Sequence, residues 1–81
     1  MKAILACMKR QTSNIKLGLA IRKERTKLGL SQEKFAEKAG FHRTYIGHVE
    51  RGEKNITVWG LLKIGKALGM SASQLLAKAG L

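Results

Sequence analysis

Apolar residues recur at helical spacing in the segment that follows residue 14. Leu17, Ile21 and Leu28 lie at positions that three- and four-residue steps connect, so they share one face of a helix. Gly29 follows directly, and glycine is the residue most often found just after a helix C-terminus. The pattern therefore predicts a first helix over about residues 15–28.

This first helix divides the chain into a short leading segment and one domain. Thr12, Ser13 and Asn14 are residue types that cap helices, and we interpret them as the boundary. On this interpretation residues 1–14 are an N-terminal arm or a short extra helix. Residues 15–81 then form the folded domain.

The second predicted helix has strong signals at its start. Ser31 can accept a hydrogen bond from the free amides of the first turn, and Glu33 lies near the positive end of the helix dipole. Leu30 and Phe35 occupy the two positions of a hydrophobic staple. Gly40 ends this helix, which leaves room only for a tight turn before the next one.

The third and fourth helices follow from the same kind of pattern. The third is expected over about residues 42–51, with Gly52 just past its end. Thr57 is placed to cap a fourth helix that runs to about Leu68. The positions of the fourth helix expected to face the core are Leu61, Leu62, Ile64 and Leu68.

A fifth helix completes the predicted fold. Ser71 and Gln74 form a capping box, and the helix that they open is expected to end near Lys78. Gly60 and Gly65 either weaken the fourth helix by about 1 kcal/mol each or allow close helix packing. Five short helices with brief loops predict a compact all-α domain.

Charge changes this picture by indicating a partner. Sixteen Lys and Arg residues against five acidic residues give the 81-residue chain a formal net charge of +11. Such a surplus is typical of proteins that bind a polyanion, above all a nucleic acid. A chain this short also buries only a modest core and gains stability from a partner subunit.

The cysteine content and the chain start bear on location. Cys7 is the single cysteine, which excludes an intramolecular disulfide and fits a reducing cytoplasm. The start, MKAILACMKR, resembles a secretion signal only faintly, because its apolar run of about six residues is shorter than the usual apolar region. No later segment is long and apolar enough to be expected to span a membrane. We therefore expect a cytoplasmic protein without a membrane partner.

The stretch GFHRTYIGHVERG, residues 40–52, concentrates the residues that could carry chemistry. His42 and His48 lie six positions apart, about 240° around a helix, whereas zinc pairs on one helix need spacings of three or four. Glu50 is the stretch's one carboxylate, with no serine, cysteine or second acid at a telling spacing. The sequence thus favours neither a metal site nor an enzyme, and it implies no cofactor.

Nucleic-acid binding suits the same stretch better. On a helix, Arg43, Thr44 and His48 share an outward side, while Ile46 and Val49 point to the core. Guanidinium, hydroxyl and imidazole groups can meet base edges in a major groove, the imidazole by donating to an acceptor. The alternative interpretation is a solvated basic surface.

Gly47 and Arg51 continue the line that Arg43 begins on this helix. A glycine in the middle of a helix lowers its stability. We expect the bare backbone at Gly47 to let the helix approach DNA closely.

A short helix, a tight turn and a second helix with a polar outer side make a helix-turn-helix. The segment LGLSQEKFAEKAGFHRTYIGHVERGEKNIT resembles the helix-turn-helix family of phage repressors and xenobiotic-response-element-type bacterial regulators. The resemblance covers about residues 15–77 and implies the lambda-repressor-like fold. RTYIGHVERGEKN is especially similar to the controller proteins of restriction–modification systems.

The resemblance implies a role for each matching position. Arg43, Thr44 and His48 would contact base edges. The positions that would grip the DNA backbone are Gln32, Tyr45, Arg51, Lys54 and Asn55, and Gln32 could instead brace the base-reading helix. Arg25 and Glu50 match an ion pair that ties the first helix to the third, and the alternative is two solvated charges. His42 replaces the family's small polar cap, so a weak cap is expected.

The function that follows is a sequence-specific, DNA-binding transcriptional regulator. A homodimer would present two recognition helices about 34 Å apart to a palindromic operator. Its interface is expected at Trp59, Leu75, Leu76 and Leu81, although Trp59 could instead fold over its own core. The alternatives are the antitoxin of a toxin–antitoxin pair and a small RNA-binding module. The second would need more exposed aromatic residues.

Overall fold

The computed structural model describes residues 12–81, and these residues form five α-helices and no strand. The helices are α1 (Thr12–Lys27), α2 (Gln32–Ala39), α3 (Arg43–Glu50), α4 (Val58–Leu68) and α5 (Ala72–Lys78). The predicted all-α, five-helix fold is confirmed. The first eleven residues, with Cys7 and most of the predicted arm, lie outside the described residues. None of the five helices is long and apolar enough to cross a membrane.

The first helix begins earlier than its apolar pattern indicated. α1 starts at Thr12, so the three polar residues interpreted as a boundary belong to its first turns. Tertiary contacts explain this start: Asn14 Nδ2 donates to Asn55 Oδ1 at 2.6 Å, and Ile15 packs against Gly52 in the turn after α3. At the other end α1 stops at Lys27, and Leu28 is exposed rather than part of the core.

All five helices contribute to one core. Its buried apolar residues are Leu17, Ala20, Ile21, Phe35, Ala36, Ala39, Ile46, Val49, Leu61, Ile64, Ala67, Leu68 and Leu75. Burying one such large side chain contributes about 1.5–3 kcal/mol. Leu62 does not join them, since it is 53% exposed, and this prediction was wrong. Leu61 and Ile64 take the buried side of α4, and a helix turns its next residue about 100° away.

The predicted caps are present in the structure. Ser31 Oγ accepts from Lys34 N at 3.1 Å, and Thr57 Oγ1 accepts from Gly60 N at 3.0 Å. At α5 both halves of the capping box form between Ser71 and Gln74. Local sequence chemistry therefore sets where α2, α4 and α5 begin.

A three-residue connection joins α2 to α3. Gly40 adopts a left-handed conformation with φ 79°, which glycine tolerates without strain. Phe41 N then donates to Ala36 O at 2.9 Å, which closes the end of α2 and turns the chain into α3. α2 and α3 pack against each other, as in a helix-turn-helix.

Gly18 lets α1 lie very close to the C-terminal end of α3. A Cβ atom at Gly18 would lie 2.4 Å from Val49 O and 2.5 Å from Glu50 O, closer than real Cβ atoms come to any atom. Gly18 was not among the residues to which the sequence pattern assigned a role. This close approach brings the α1 side chains within reach of Glu50.

Candidate nucleic-acid interface

α3 has one side in the core and one side in solvent. Ile46 and Val49 are buried, as predicted, and they fix the orientation of the helix. Arg43 and Thr44 are exposed on the opposite side. The polar groups expected to contact bases therefore lie on the solvent side of a firmly packed helix.

The ion pair implied by the family resemblance is present and buried. Arg25 Nε donates to Glu50 Oε2 at 2.6 Å, and Arg25 Nη2 donates to Glu50 Oε1 at 3.1 Å. Arg25 Nη1 also donates to Leu30 O at 2.7 Å. The Glu50 side chain is only 2% exposed, which excludes the alternative of two solvated charges. The pair ties α1, the turn before α2 and α3 together.

Gln32 joins this pair. Its Nε2 donates to Glu50 Oε1 at 2.9 Å, so one carboxylate holds side chains from α1 and α2. We call Arg25, Gln32 and Glu50 the buried cluster. Of the two roles expected for Gln32, the structure shows the bracing of the base-reading helix. Phosphate binding by Gln32 stays a prediction.

His42 caps the N-terminus of α3. Its Nδ1 accepts from Thr44 N at 3.1 Å, so the imidazole replaces the oxygen of a usual capping residue. His42 thus forms a cap, because an unprotonated ring nitrogen is an acceptor too, and the weakness of this cap stays a prediction. α3 itself spans Arg43–Glu50, one residue shorter at each end than predicted.

The C-terminal end of α3 carries a second group of side chains, which was not predicted from the sequence. Gly52, with φ 74°, turns the chain so that Glu53 N donates to His48 O at 2.9 Å. The Glu53 carboxylate then reaches back over the helix end. Its Oε1 lies 2.8 Å from His48 Nδ1 and 3.1 Å from Arg51 Nε. We call His48, Arg51 and Glu53 the surface cluster.

A sequence signal for Glu53 was available. A glycine just past a helix end often forms a motif in which the next residue bonds back to the carbonyl five positions earlier. Applied to Gly52, that rule places Glu53 beside His48 and so brings an acid to two residues expected to contact DNA.

Gly47 does not offer a bare backbone to solvent. It is buried, and a Cβ atom there would lie 3.1 Å from Arg51 Nη1 and 3.7 Å from Gln32 Oε1. The expectation that DNA would approach the Gly47 backbone directly is therefore wrong for this conformation. The Arg51 guanidinium, whose Nε donates to Glu53, lies over this position.

The flank of α3 is aromatic and basic. Tyr45 is half-buried with its ring centroid 4.7 Å from that of Phe41, and burial raises the pKa of its hydroxyl. Lys63 Nζ lies 4.4 Å from the ring centroids of both Phe41 and Trp59. Lys54 is exposed in the loop after α3. Because its pKa is raised, the Tyr45 hydroxyl is neutral at physiological pH.

The residues expected at a dimer interface differ in exposure. Trp59 is 66% exposed, so it does not fold over its own core. Leu81 is exposed and Leu76 is partly buried. Leu75 is fully buried in the core of its own chain, so its assignment to the interface was wrong. A short helix can bury one of two adjacent leucines, and which one depends on packing.

Possible metal ligands do not gather in the described part of the chain. Within residues 12–81, no three His, Cys, Asp or Glu side chains lie close enough together to hold an ion. His42 and His48 lie at opposite ends of α3, and each binds a different partner.

Comparisons with known proteins agree with this geometry. A family model described as helix-turn-helix matches residues 21–75. The control protein C.SmaI of Serratia marcescens is 49% identical over 61 residues, which cover 75% of this chain and 73% of that protein. None of the relatives found by sequence is named as an antitoxin or an RNA-binding protein.

Solved structures extend the comparison to the fold. The restriction–modification controller protein C.AhdI of Aeromonas hydrophila matches with a TM-score of 0.77 and 38% identity, over 80% of this chain and 98% of that chain. The controller protein C.Esp1396I, solved as a tetramer with its natural 35-base-pair operator, has a TM-score of 0.76 and 33% identity, over 85% and 95%. The chain therefore belongs to the helix-turn-helix family and, within it, to the restriction–modification controller proteins, which are DNA-binding transcription regulators and not enzymes.

Proposed function

We propose that this protein binds a palindromic DNA operator as a homodimer, with α3 of each subunit in a major groove, and regulates transcription in the cytoplasm. One observation carries the proposal. α3 presents Arg43, Thr44 and His48 on its solvent side, while the buried cluster locks its other side to α1 and α2.

Arg43 is the best candidate for reading a base. Its side chain is exposed and makes no hydrogen bond or ion pair with residues 12–81. A free guanidinium has donors spaced to bind guanine O6 and N7 together, which is the commonest specific contact in a major groove. Thr44, next to it and also exposed, offers a hydroxyl and a methyl group.

Backbone contacts would supply much of the affinity. We assign them to Gln32, Tyr45, Arg51, Lys54 and Asn55, around the rim of α3. Lys54 is exposed and has no hydrogen-bond partner in the described chain, whereas Arg51 and Asn55 would exchange intrachain partners for phosphate oxygens. The net charge of +11 supports this assignment and predicts binding that weakens steeply with salt.

Two observations support a homodimer. The C.Esp1396I structure contains a tetramer on its operator, so a related controller protein assembles on DNA. In this chain, Trp59, Val58 and Leu62 are exposed apolar side chains on α4, and Leu81 adds another at the chain end. We propose that Trp59, Leu76 and Leu81 lie in the interface, and that Val58 and Leu62 join them. Val58, Trp59 and Leu62 are neighbours at helical spacing on α4, and adjacent exposed apolar groups of this kind are typical of a contact surface.

Selection of binders from a random double-stranded DNA library, at physiological salt, tests the proposal. We expect an enriched motif with two-fold symmetry, whose half-site centres are about one helical turn apart. Glu37→Ala, a change on the exposed side of α2, serves as a control that should keep the motif. Binding without an enriched motif would overturn sequence-specific regulation, and an asymmetric motif would overturn the symmetric dimer.

A further inference from the structure

The two histidines of the DNA-facing helix make opposite kinds of hydrogen bond through the same ring atom. Nδ1 of His42 faces a backbone N–H, that of Thr44, at 3.1 Å. Nδ1 of His48 faces a carboxylate oxygen, that of Glu53, at 2.8 Å. Each partner has a fixed role, because an amide only donates and an ionised carboxylate only accepts.

These partners determine where the proton of each neutral ring lies. His42 Nδ1 must be unprotonated to accept from Thr44, so its proton lies on Nε2. His48 Nδ1 must carry the proton, because two unprotonated, electron-rich atoms 2.8 Å apart would repel each other. The His48 ring therefore leaves Nε2 unprotonated.

Arg51 does not change this assignment. Its Nη2 lies 3.4 Å from His48 Nδ1, and a protonated Nδ1 cannot also accept from it. The contact with Glu53 is shorter and joins a donor to a charged acceptor, which is the stronger kind of hydrogen bond. Arg51 instead donates through Nε to the same Glu53 oxygen, at 3.1 Å.

The His48 side chain is 38% exposed, and its Nε2 atom is not buried. Nε2 makes no hydrogen bond with the described residues, and no buried side-chain nitrogen or oxygen in residues 12–81 lacks a partner. His48 follows exposed Thr44 by four residues, one helical turn, so both side chains emerge on one side of α3.

We propose that Glu53 is a specificity-determining residue: it fixes the Nδ1–H tautomer of His48, so that Nε2 reads DNA as a hydrogen-bond acceptor. The group that this acceptor recognises is an exocyclic amino group in the major groove, N6 of adenine or N4 of cytosine. This assignment reverses the sequence-based expectation that the imidazole donates to an acceptor. The base-reading half rests on the proposed function, whereas the tautomer does not.

The tautomer is tested in the full-length protein without DNA. A proton–nitrogen correlation spectrum of isotope-labelled histidine, at about pH 8 where a free imidazole is neutral, distinguishes the two ring nitrogens. We expect Nδ1–H for His48 and Nε2–H for His42, which is the internal control. Glu53→Ala should convert His48 to the Nε2–H form and leave His42 unchanged. A wild-type His48 protonated on Nε2, alone or together with Nδ1, would overturn the proposal.

The base contact is tested on the operator found by selection. His48→Ala identifies the base pair that His48 contacts, as the position whose preference disappears. Nucleotide analogues at that position then lack either the amino group or the purine N7 atom. Loss of the amino group should weaken wild-type binding by about three- to tenfold, the effect of one neutral hydrogen bond, and loss of N7 should leave it unchanged.

Glu53→Ala and Glu37→Ala separate tautomer from charge, because each removes one negative charge. Glu53→Ala should abolish the sensitivity to the amino group, and Glu37→Ala should retain it. Sensitivity to N7 instead of the amino group in the wild type would overturn the inference while leaving the proposed function intact. If the wild type enriches no motif, the proposed function fails and base reading by His48 fails with it, and the spectrum still decides the tautomer.

Discussion

The buried cluster and the surface cluster both involve the C-terminal half of α3, yet they differ in what holds them. In the buried cluster, Glu50 is 2% exposed and accepts from Arg25 and Gln32, residues far away in the chain. In the surface cluster, Glu53 is 28% exposed and binds His48 and Arg51, five and two positions before it in the chain. Water competes for the exposed Glu53 carboxylate much more than for the buried Glu50 carboxylate. The bonds of Glu50 therefore hold the helices together, whereas those of Glu53 can be exchanged for bonds to water or to another partner.

Glu50→Ala should have the largest effect, because it tests the buried member of this comparison. Removing the carboxylate leaves the Arg25 guanidinium buried without a counter-charge. We expect a loss of about 3–5 kcal/mol in the free energy of unfolding, measured by urea denaturation. Glu37→Ala, which removes an exposed carboxylate 3.8 Å from Lys34, should change stability by about 0.5 kcal/mol or less. If Glu50→Ala lowered the free energy of unfolding as little as Glu37→Ala does, the buried cluster would not stabilise the fold.

Gly18→Ala should have the next largest effect. The new methyl group would meet backbone oxygens of Val49 and Glu50, which cannot move without shifting α1 from α3. We expect a loss of about 1–3 kcal/mol, as for other overpacked sites. Gly47→Ala is the matched change on the other side of α3, where the obstacle is the flexible Arg51 side chain. It should be neutral or stabilise by up to about 1 kcal/mol, and a loss as large as that of Gly18→Ala would contradict this contrast.

Arg43→Ala tests the solvent side of α3 without touching either cluster. Binding to the selected operator should weaken by about 1–3 kcal/mol, with a relaxed preference at one base pair, as measured by fluorescence anisotropy. The melting temperature should stay at the wild-type value, since the side chain makes no bond in the described chain. An equal loss of affinity for operator and unrelated DNA would make Arg43 a phosphate contact instead.

Glu53→Ala tests the surface cluster and should lower stability far less than Glu50→Ala does. The ion pair between Glu53 and Arg51 is partly exposed, so it contributes about 1 kcal/mol or less. The free energy of unfolding should therefore fall only slightly, although the tautomer of His48 changes. Urea denaturation of this variant beside Glu50→Ala gives the test, and similar large losses in both would mean that Glu53 is also a structural residue.

The helices and their caps could be predicted because their signals are local. Ser31, Thr57 and Ser71 bond to amides within three residues, so the sequence contains both partners side by side. Gly40 likewise ends α2 through bonds within its own turn. The start of α1 was missed because a contact across the fold, between Asn14 and Asn55, holds its first turn.

Whether a given side chain is buried or exposed was harder to predict than where the helices lie. Leu75 and Leu62 both looked suited to the roles assigned to them, yet Leu75 is in the core and Leu62 is on the surface. Helical periodicity gives the angle between two side chains around the helix axis. It does not say which side of the helix packs against the other helices. That choice depends on how α4 and α5 pack against each other and against α2 and α1.

The sequence by itself determined that this chain is basic, that five helices follow one another within residues 12–81, and that the helix between Gly40 and Gly52 has a polar outer side. Those properties follow from charge, periodicity and capping, which act over a few residues. Only the tertiary structure decided that Glu50 is a shared buried acceptor and that Gly18 admits a close helix contact. These facts depend on distances between atoms that the chain brings together by folding, and hydrogen bonds and steric contacts act only over such short distances.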